Sequence, residues 1–276
     1  MLRKGDLTQG GITGTLLHFT LPMLVGSFLQ QCYNIADTLI VGQCIGAGAL
    51  AAVGSAYTLM VFLISVLLGL AMGSGTVFSL HYGAGNHVAL RRSIFSSFVL
   101  IGIVTLILNV AVFIWLDPIL RLLQVPQDIY GMMRSYLWII FCGIVFTFIY
   151  NFYASLLRAV GDSVTPLWFL AVSVVLNIAL DLFFILQLDW GIQGAAAATV
   201  LAQGVAALGI IIYTYRRRPE LRWHHEDICF DRTCLKEIAS FSTLTCIQQS
   251  VMNLGILMVQ GLVNSFGTAV MAAFAA

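Results

Sequence analysis

Charge is scarce in this chain. Of its 276 residues only 9% are Asp, Glu, Lys or Arg, against a hydrophobic share of 60% and a mean hydropathy of +0.96. A soluble globular domain carries about 25% charged residues, so the composition excludes that class and fits a polytopic membrane protein. Other absences narrow the function. There is no GxxxxGK[ST] phosphate loop, which excludes ATP-driven transport within the chain. No Ser/His/Asp or Cys/His set stands out, so the chain is not read as an enzyme, and no cofactor is expected. A net charge of +1 with no basic arm gives a nucleic-acid partner nothing to bind. The polar opening LRKGDLTQGG lacks the apolar core and small-residue cleavage site of a signal peptide, so the first span is expected to be retained.

The six cysteines form no paired framework. Those inside apolar runs read as small buried residues. His224, His225, Cys229 and Cys234 sit in HHEDICFDRTC, but the spacing is looser than zinc sites use, and the stretch reads as a solvated loop.

Hydrophobic runs of about 20 residues predict spanning helices, at 15–41, 50–80, 93–116, 132–157, 165–187, 192–215 and 239–265, with an eighth opening near Ala269. Two longer loops are expected. One, at 117–131, contains Asp117-Pro118 and Pro126; the other, at 216–238, is the most charged stretch of the chain. With this threading, Arg3, Lys4, Arg91, Arg92, Arg158 and the six basic residues from Arg216 to Lys236 fall on one side, and only Arg121 and Arg134 on the other. The positive-inside tendency makes the richer side, and the N-terminus, cytoplasmic. Arg216, Arg217 and Arg218 stand where anionic lipid headgroups would meet them.

Against this apolar background, two acids lie within spans: Asp37 and Asp181. A carboxylate in hydrocarbon is costly to keep charged, and such residues commonly bind ions, carry protons or meet ligands. Asn34 precedes Asp37 by three residues and Asn177 precedes Asp181 by four, spacings that share a helix face. The pattern points to a cation- or proton-coupled transporter. Pro22, inside the first span, removes a backbone hydrogen bond and tends to kink the helix. Gly69, Gly73, Gly75 and Ala195 to Ala198 are small residues of the kind that let helices pack closely in lipid. The tryptophans near span ends, such as Trp190, read as interfacial anchors.

An internal repeat adds a second layer. Gly46 to Gly54 resembles Gly267 to Ala275, and Gln30, Asn34 and Gly42 match Gln249, Asn253 and Gly261 at a constant offset. The loop between is read as two residues longer in the second copy. Six spans separate the copies, so the repeat is parallel, about an axis along the membrane normal. Ile256 stands where Asp37 would recur, which puts ion chemistry in the first copy. The ending AVMAAFAA, inside an apolar run, predicts one six-helix lobe (1–215), a cytoplasmic connector (216–238) and the start of a second lobe (239–276). A half-transporter that dimerises is the alternative.

Four stretches, taken in order, resemble the multidrug and toxic compound extrusion (MATE) family. They are LPMLVGSFLQQCYNIADTLIVGQCIGAGALAAVG at 21–54, HYGAGN at 81–86, LLRAVGDSVTPL at 156–167, and LNIALD at 176–181 with GIQGAAAATVLAQG at 191–204. The resemblance implies an all-α fold of twelve helices in two lobes, of which this chain carries the first lobe, the seventh helix and the start of the eighth. It implies an antiporter that exports organic, cationic amphipathic compounds by alternating access, driven by Na⁺ or H⁺, monomeric at full length, in a bacterial cytoplasmic membrane. Asp37 matches the family's first-helix acid, Asn177 and Asp181 its fifth-helix pair, and Thr199 its hydroxyl donor; together these four are the expected Na⁺ or proton site. Asn34 is expected to orient Asp37, Tyr136 to be a further polar partner, and Pro22 to be the hinge of the first helix. A lipid-linked oligosaccharide flippase of a related branch is the alternative function, disfavoured because the span interiors lack the basic residues a pyrophosphate would need.

Overall fold

A computed structural model describes residues 12–223 and 232–275, and the described elements are helical throughout. In chain order they are α1 (Ile12–Cys44), α2 (Ala47–Gly83), α3 (His87–Leu122), α4 (Gln127–Cys142), α5 (Ile144–Ala159) and α6 (Val164–Leu182). A π-helical turn (Phe183–Gln187) follows, then α7 (Gly191–Arg217), a 3₁₀ turn (Pro219–Leu221), α8 (Arg232–Ser265) and α9 (Thr268–Ala275).

Five helices are by themselves long and apolar enough to span a membrane: α2, α3, α6 with its π turn, α7, and α8 from Leu235. The pair α4 and α5, bent by 49°, makes a sixth. The run at 132–157, expected to be one uninterrupted helix, breaks at Gly143. A side chain there would drive a Cβ to 2.6 Å from Val200 on α7, so the break sits where the two elements touch. α1 is 33 residues long, about 50 Å of helix, and carries a polar face. Its polar residues Gln30, Gln31, Asn34, Asp37 and Gln43 line a cavity.

Two expected loops are shorter than the sequence suggested. α3 continues through Pro118 to Leu122, so the loop expected at 117–131 shrinks to 123–126. Proline costs an interior helix its hydrogen bond and adds a clash, but Asp117 is tied down by Tyr130 (2.9 Å) and Arg134 (2.8 Å) from α4. At the other loop, α8 already begins at Arg232, inside the stretch read as connector.

α2 is the hub. It packs on α1, α3, α4, α5, α8 and α9, most extensively on α8. Gly69 and Gly73 lie against the α8 backbone at Cys246 and Ser242, where a Cβ has no room. Gly75 lies against Ser155, whose hydroxyl donates to the Ala71 carbonyl at 2.8 Å. These glycines pack helices, as expected of small residues in lipid. Phe78, Phe98, Phe148, Phe152 and Trp223 form an aromatic cluster between α2, α3 and α5. Outside, large apolar side chains are exposed on almost every helix, Trp168 at 68% and Leu106 at 62% among them. Exposure on that scale suits a lipid environment.

The turns of the internal repeat have matching geometry. α1 and α2, and likewise α8 and α9, are joined by two residues, with Gly46 (φ +114) and Gly267 (φ +91) in the left-handed region that favours glycine. Each glycine carbonyl accepts from the backbone N–H four residues on, at 3.1 Å in both copies. The two extra residues of the second copy are not in the loop, as expected from alignment, but lengthen α8 itself, which absorbs an insertion as additional helix without disturbing the turn.

Candidate functional site

Three helices bring the buried polar residues together. α1 packs on α6 and α6 on α7, so the inward faces of α1 (Tyr33, Asp37), α6 (Asn177, Asp181) and α7 (Thr199) converge. Asp37 is 8% exposed, Asn177 1% and Asp181 0%. The two carboxyl groups are neighbours in this buried cluster. Two carboxylates so placed repel each other in a low dielectric unless a proton or a cation comes between them.

Asn177 links the acids to α7. In the amide orientation that satisfies all its neighbours, its nitrogen donates to Asp181 Oδ2 at 2.9 Å and its oxygen accepts from the Thr199 N–H at 3.2 Å and hydroxyl at 3.3 Å. The Tyr33 hydroxyl completes the chain, 3.3 Å from the Thr199 hydroxyl. Asp37 Oδ1 and Asp181 Oδ1 are buried and have no hydrogen-bond partner. Buried polar atoms without partners are uncommon and call for an explanation. Two free carboxylate oxygens beside an amide and a hydroxyl are hard donors that fit a small cation, and equally fit a shared proton. Among the described residues no group of three or more His, Cys, Asp or Glu is placed to hold a metal. The side chains of His224, His225, Cys229 and Cys234 lie outside the described residues.

The cluster forms part of the wall of a cavity of about 930 Å³. Asp37 and Thr199 reach its lining, with Asn177 and Asp181 behind them. Tyr33, Tyr57 and Tyr136 lie on the same lining, and among the described residues Asp37 is the one Asp, Glu, Lys, Arg or His in it. Amides and hydroxyls such as Asn151, Gln203 and Gln260 are distributed over the remaining, largely apolar surface. That composition is typical of small-molecule pockets, which pair apolar walls with a few polar anchors.

Set against the sequence reading, Asp37, Asn177, Asp181 and Thr199 are brought together. Tyr136, buried to 4% exposure, lies beside them in the lining. Asn34 does not orient Asp37: its amide donates to Gln31 Oε1 and the Tyr57 hydroxyl, each at 3.1 Å. A three-residue step rotates Asn34 far enough from Asp37 for α2 to capture it. Pro22 lies 15 residues before Asp37, about four turns away, within a helix that runs unbroken through it. Sequence reasoning missed Tyr33 and Tyr57. Tyr33 had a signal, being four residues before Asp37 and hence on its face; Tyr57 had none, since only the packing of α2 on α1 brings it in.

The family model described as MatE matches residues 22–183. The chain is 32% identical to "Probable multidrug resistance protein YpnP" of Bacillus subtilis, over 100% of this chain and 61% of that protein. It is 31% identical to "Multidrug export protein MepA" of Staphylococcus saprophyticus, over 73% of this chain and 45% of that protein. In fold it is similar to an outward-facing structure of a multidrug resistance MATE family transporter of the MOP superfamily, with a TM-score of 0.86 and 24% identity over 93% of this chain and 57% of that one. The chain thus spans less than two thirds of the length of these relatives.

Proposed function

The chain belongs to the MatE family, and on that footing we propose that it is the ion-coupling part of a secondary antiporter that exports organic, cationic amphipathic compounds. The relatives' names, multidrug resistance and multidrug export, support the substrate class. The observation that carries the coupling assignment is the buried Asp37–Asp181 pair, bridged by Asn177 to Thr199 and opening on the cavity. In this reading residues 1–215 are the first lobe, 216–238 a cytoplasmic connector and 239–276 the opening of the second. The N-terminus faces the cytoplasm of a bacterial inner membrane, and the protein works as a monomer.

The mechanism follows from like charges in a low dielectric. With a proton shared between Asp37 and Asp181, or with Na⁺ held by Asp37, Asn177, Asp181 and Thr199, α1 is drawn against α6 and α7. Without either, two carboxylates face each other in a buried site, an arrangement that raises the energy steeply. α1 then swings away, with Pro22 as its hinge. Because α1 also lines the cavity through Gln30 and Asn34, its movement changes the substrate's surroundings, so ion and substrate compete for one conformational equilibrium. The absence of Lys and Arg from the described lining also bears on the cargo, since a pyrophosphate-linked sugar would find no cation there.

The test is dye efflux from vesicles containing the full-length protein, under separately imposed Na⁺ and H⁺ gradients. Efflux driven by one gradient is the expected result and names the ion. A dicationic dye that leaves at the same rate with and without either gradient refutes the reading.

A further inference from the structure

Asp181 is followed two residues later by an irregular segment. From Phe183 the helix widens to a π turn, with Leu188 N–H donating to the Phe183 carbonyl at 3.3 Å across five residues. Such turns are rare and frequently mark functional sites. The segment then folds back on itself. Trp190 N–H donates to the Phe184 carbonyl at 3.0 Å, and Gly194 N–H to the Trp190 carbonyl at 3.3 Å. The rings of Phe184 and Trp190 stack, with centroids 5.1 Å apart and planes 23° off parallel. Gly194, in the first turn of α7, lies directly against this pair. A Cβ there would sit 3.0 Å from Phe184 Cβ and 3.2 Å from Trp190 Cβ, tighter than ordinary packing.

The position of this contact gives it a consequence. Phe184 follows Asp181 by three residues, and Thr199 follows Gly194 by five. Between them Asn177 spans α6 to α7 with bonds of 2.9 to 3.3 Å. Hydrogen bonds at that length weaken quickly with a few tenths of an ångström of separation. The spacing of α6 and α7 at the acid pair is therefore set where the π turn, the stacked rings and the missing Cβ meet.

We propose that Phe184, Trp190 and Gly194 are positioning residues that hold α6 and α7 at the separation at which Asn177 joins Asp181 to Thr199, and so set the affinity for the coupling ion. This rests on the coupling site proposed above. The bland alternative for Trp190, 52% exposed, is an interfacial anchor with no bearing on ion affinity.

The experiment uses the full-length protein in proteoliposomes, with Gly194→Ala, Trp190→Ala and Trp190→Phe, normalised to folded protein. Efflux is measured as a function of the driving cation, and dye KM is measured in parallel. The expected result is that Gly194→Ala and Trp190→Ala raise the half-saturating cation concentration about tenfold, the low end of what outer support contributes at cation sites, with dye KM unchanged. Trp190→Phe keeps a ring to stack and stays near wild type. Unshifted cation dependence in Gly194→Ala and Trp190→Ala overturns the proposal, as does a loss confined to the amount of folded protein. If efflux by the wild-type protein follows neither Na⁺ nor H⁺, the coupling site itself is refuted and the positioning role falls with it.

Discussion

Replacing Asp181 separates the chemistry of the acid pair from its packing. Asp181 is 0% exposed and its Oδ2 accepts the Asn177 amide at 2.9 Å, while Oδ1 has no partner. Asp181→Asn keeps the shape and retains an oxygen for Asn177, but cannot take or release a proton or neutralise a cation. Asp181→Ala removes the acceptor as well, leaving the Asn177 donor buried and unpaired at a cost of about 1–3 kcal/mol. A small cavity adds to that loss. Thermal unfolding in detergent should therefore order the proteins with Asp181→Asn close to wild type and Asp181→Ala clearly lower, whereas ion-driven dye efflux should be lost in both. Asp37→Asn should lose efflux equally. Because the two acids act as one unit, the double Asn variant should be no worse than either single, the non-additivity expected of coupled groups. Full ion-driven efflux in Asp181→Asn, or an Asp181→Ala protein as stable as wild type, would refute the reasoning.

Three further outcomes follow from the packing. Gly73→Leu pushes a side chain into the α8 backbone at Ser242; overpacking of this kind costs about 1–3 kcal/mol, so the melting temperature should fall, and an unchanged one would mean α2 and α8 do not cross there. Thr199→Val preserves volume but removes the hydroxyl that meets Tyr33 and Asn177. A lost bond worth about 1 kcal/mol corresponds to about fivefold weaker ion dependence, readable in the same efflux titration and absent if Thr199 only packs. Pro22→Ala restores a helical hydrogen bond in α1 and should slow efflux turnover without moving the half-saturating ion concentration; unaltered turnover would remove Pro22 from the mechanism.

Much of this architecture is written in hydropathy. Helices α2, α3, α6, α7 and α8 were legible because lipid exposure demands long apolar runs, and Asp37 and Asp181 were conspicuous because acids there are rare. Gly46 and Gly267 were legible as a repeat, and the left-handed turns they occupy supply the reason. Legibility failed where local and tertiary preferences compete. Gly143 reads as an ordinary residue of an apolar span; its break depends on Val200, distant in sequence. Pro118 reads as a loop former, but α3 runs through it to Leu122, with Asp117 bonded to Tyr130 and Arg134 of α4. The polar side of α1 does not say which residue serves which neighbour: spacing pairs Asn34 with Asp37, whereas Gln31 and Tyr57 hold it.

The sequence by itself determined that this is a helical membrane protein with an internal repeat, and that a few polar residues stand out within its apolar spans. Solvation alone requires that: lipid tolerates no unpaired backbone and few charges, so composition and spacing declare spans and exceptions. Only the tertiary structure decided that Asp37 lies beside Asp181, that Asn177 bridges Asp181 to Thr199, and that Gly194 packs against Phe184. Contacts of this kind join residues as far as 166 positions apart, as Tyr33 and Thr199 are, and depend on how closely the helices pack, which no periodicity in a single chain encodes.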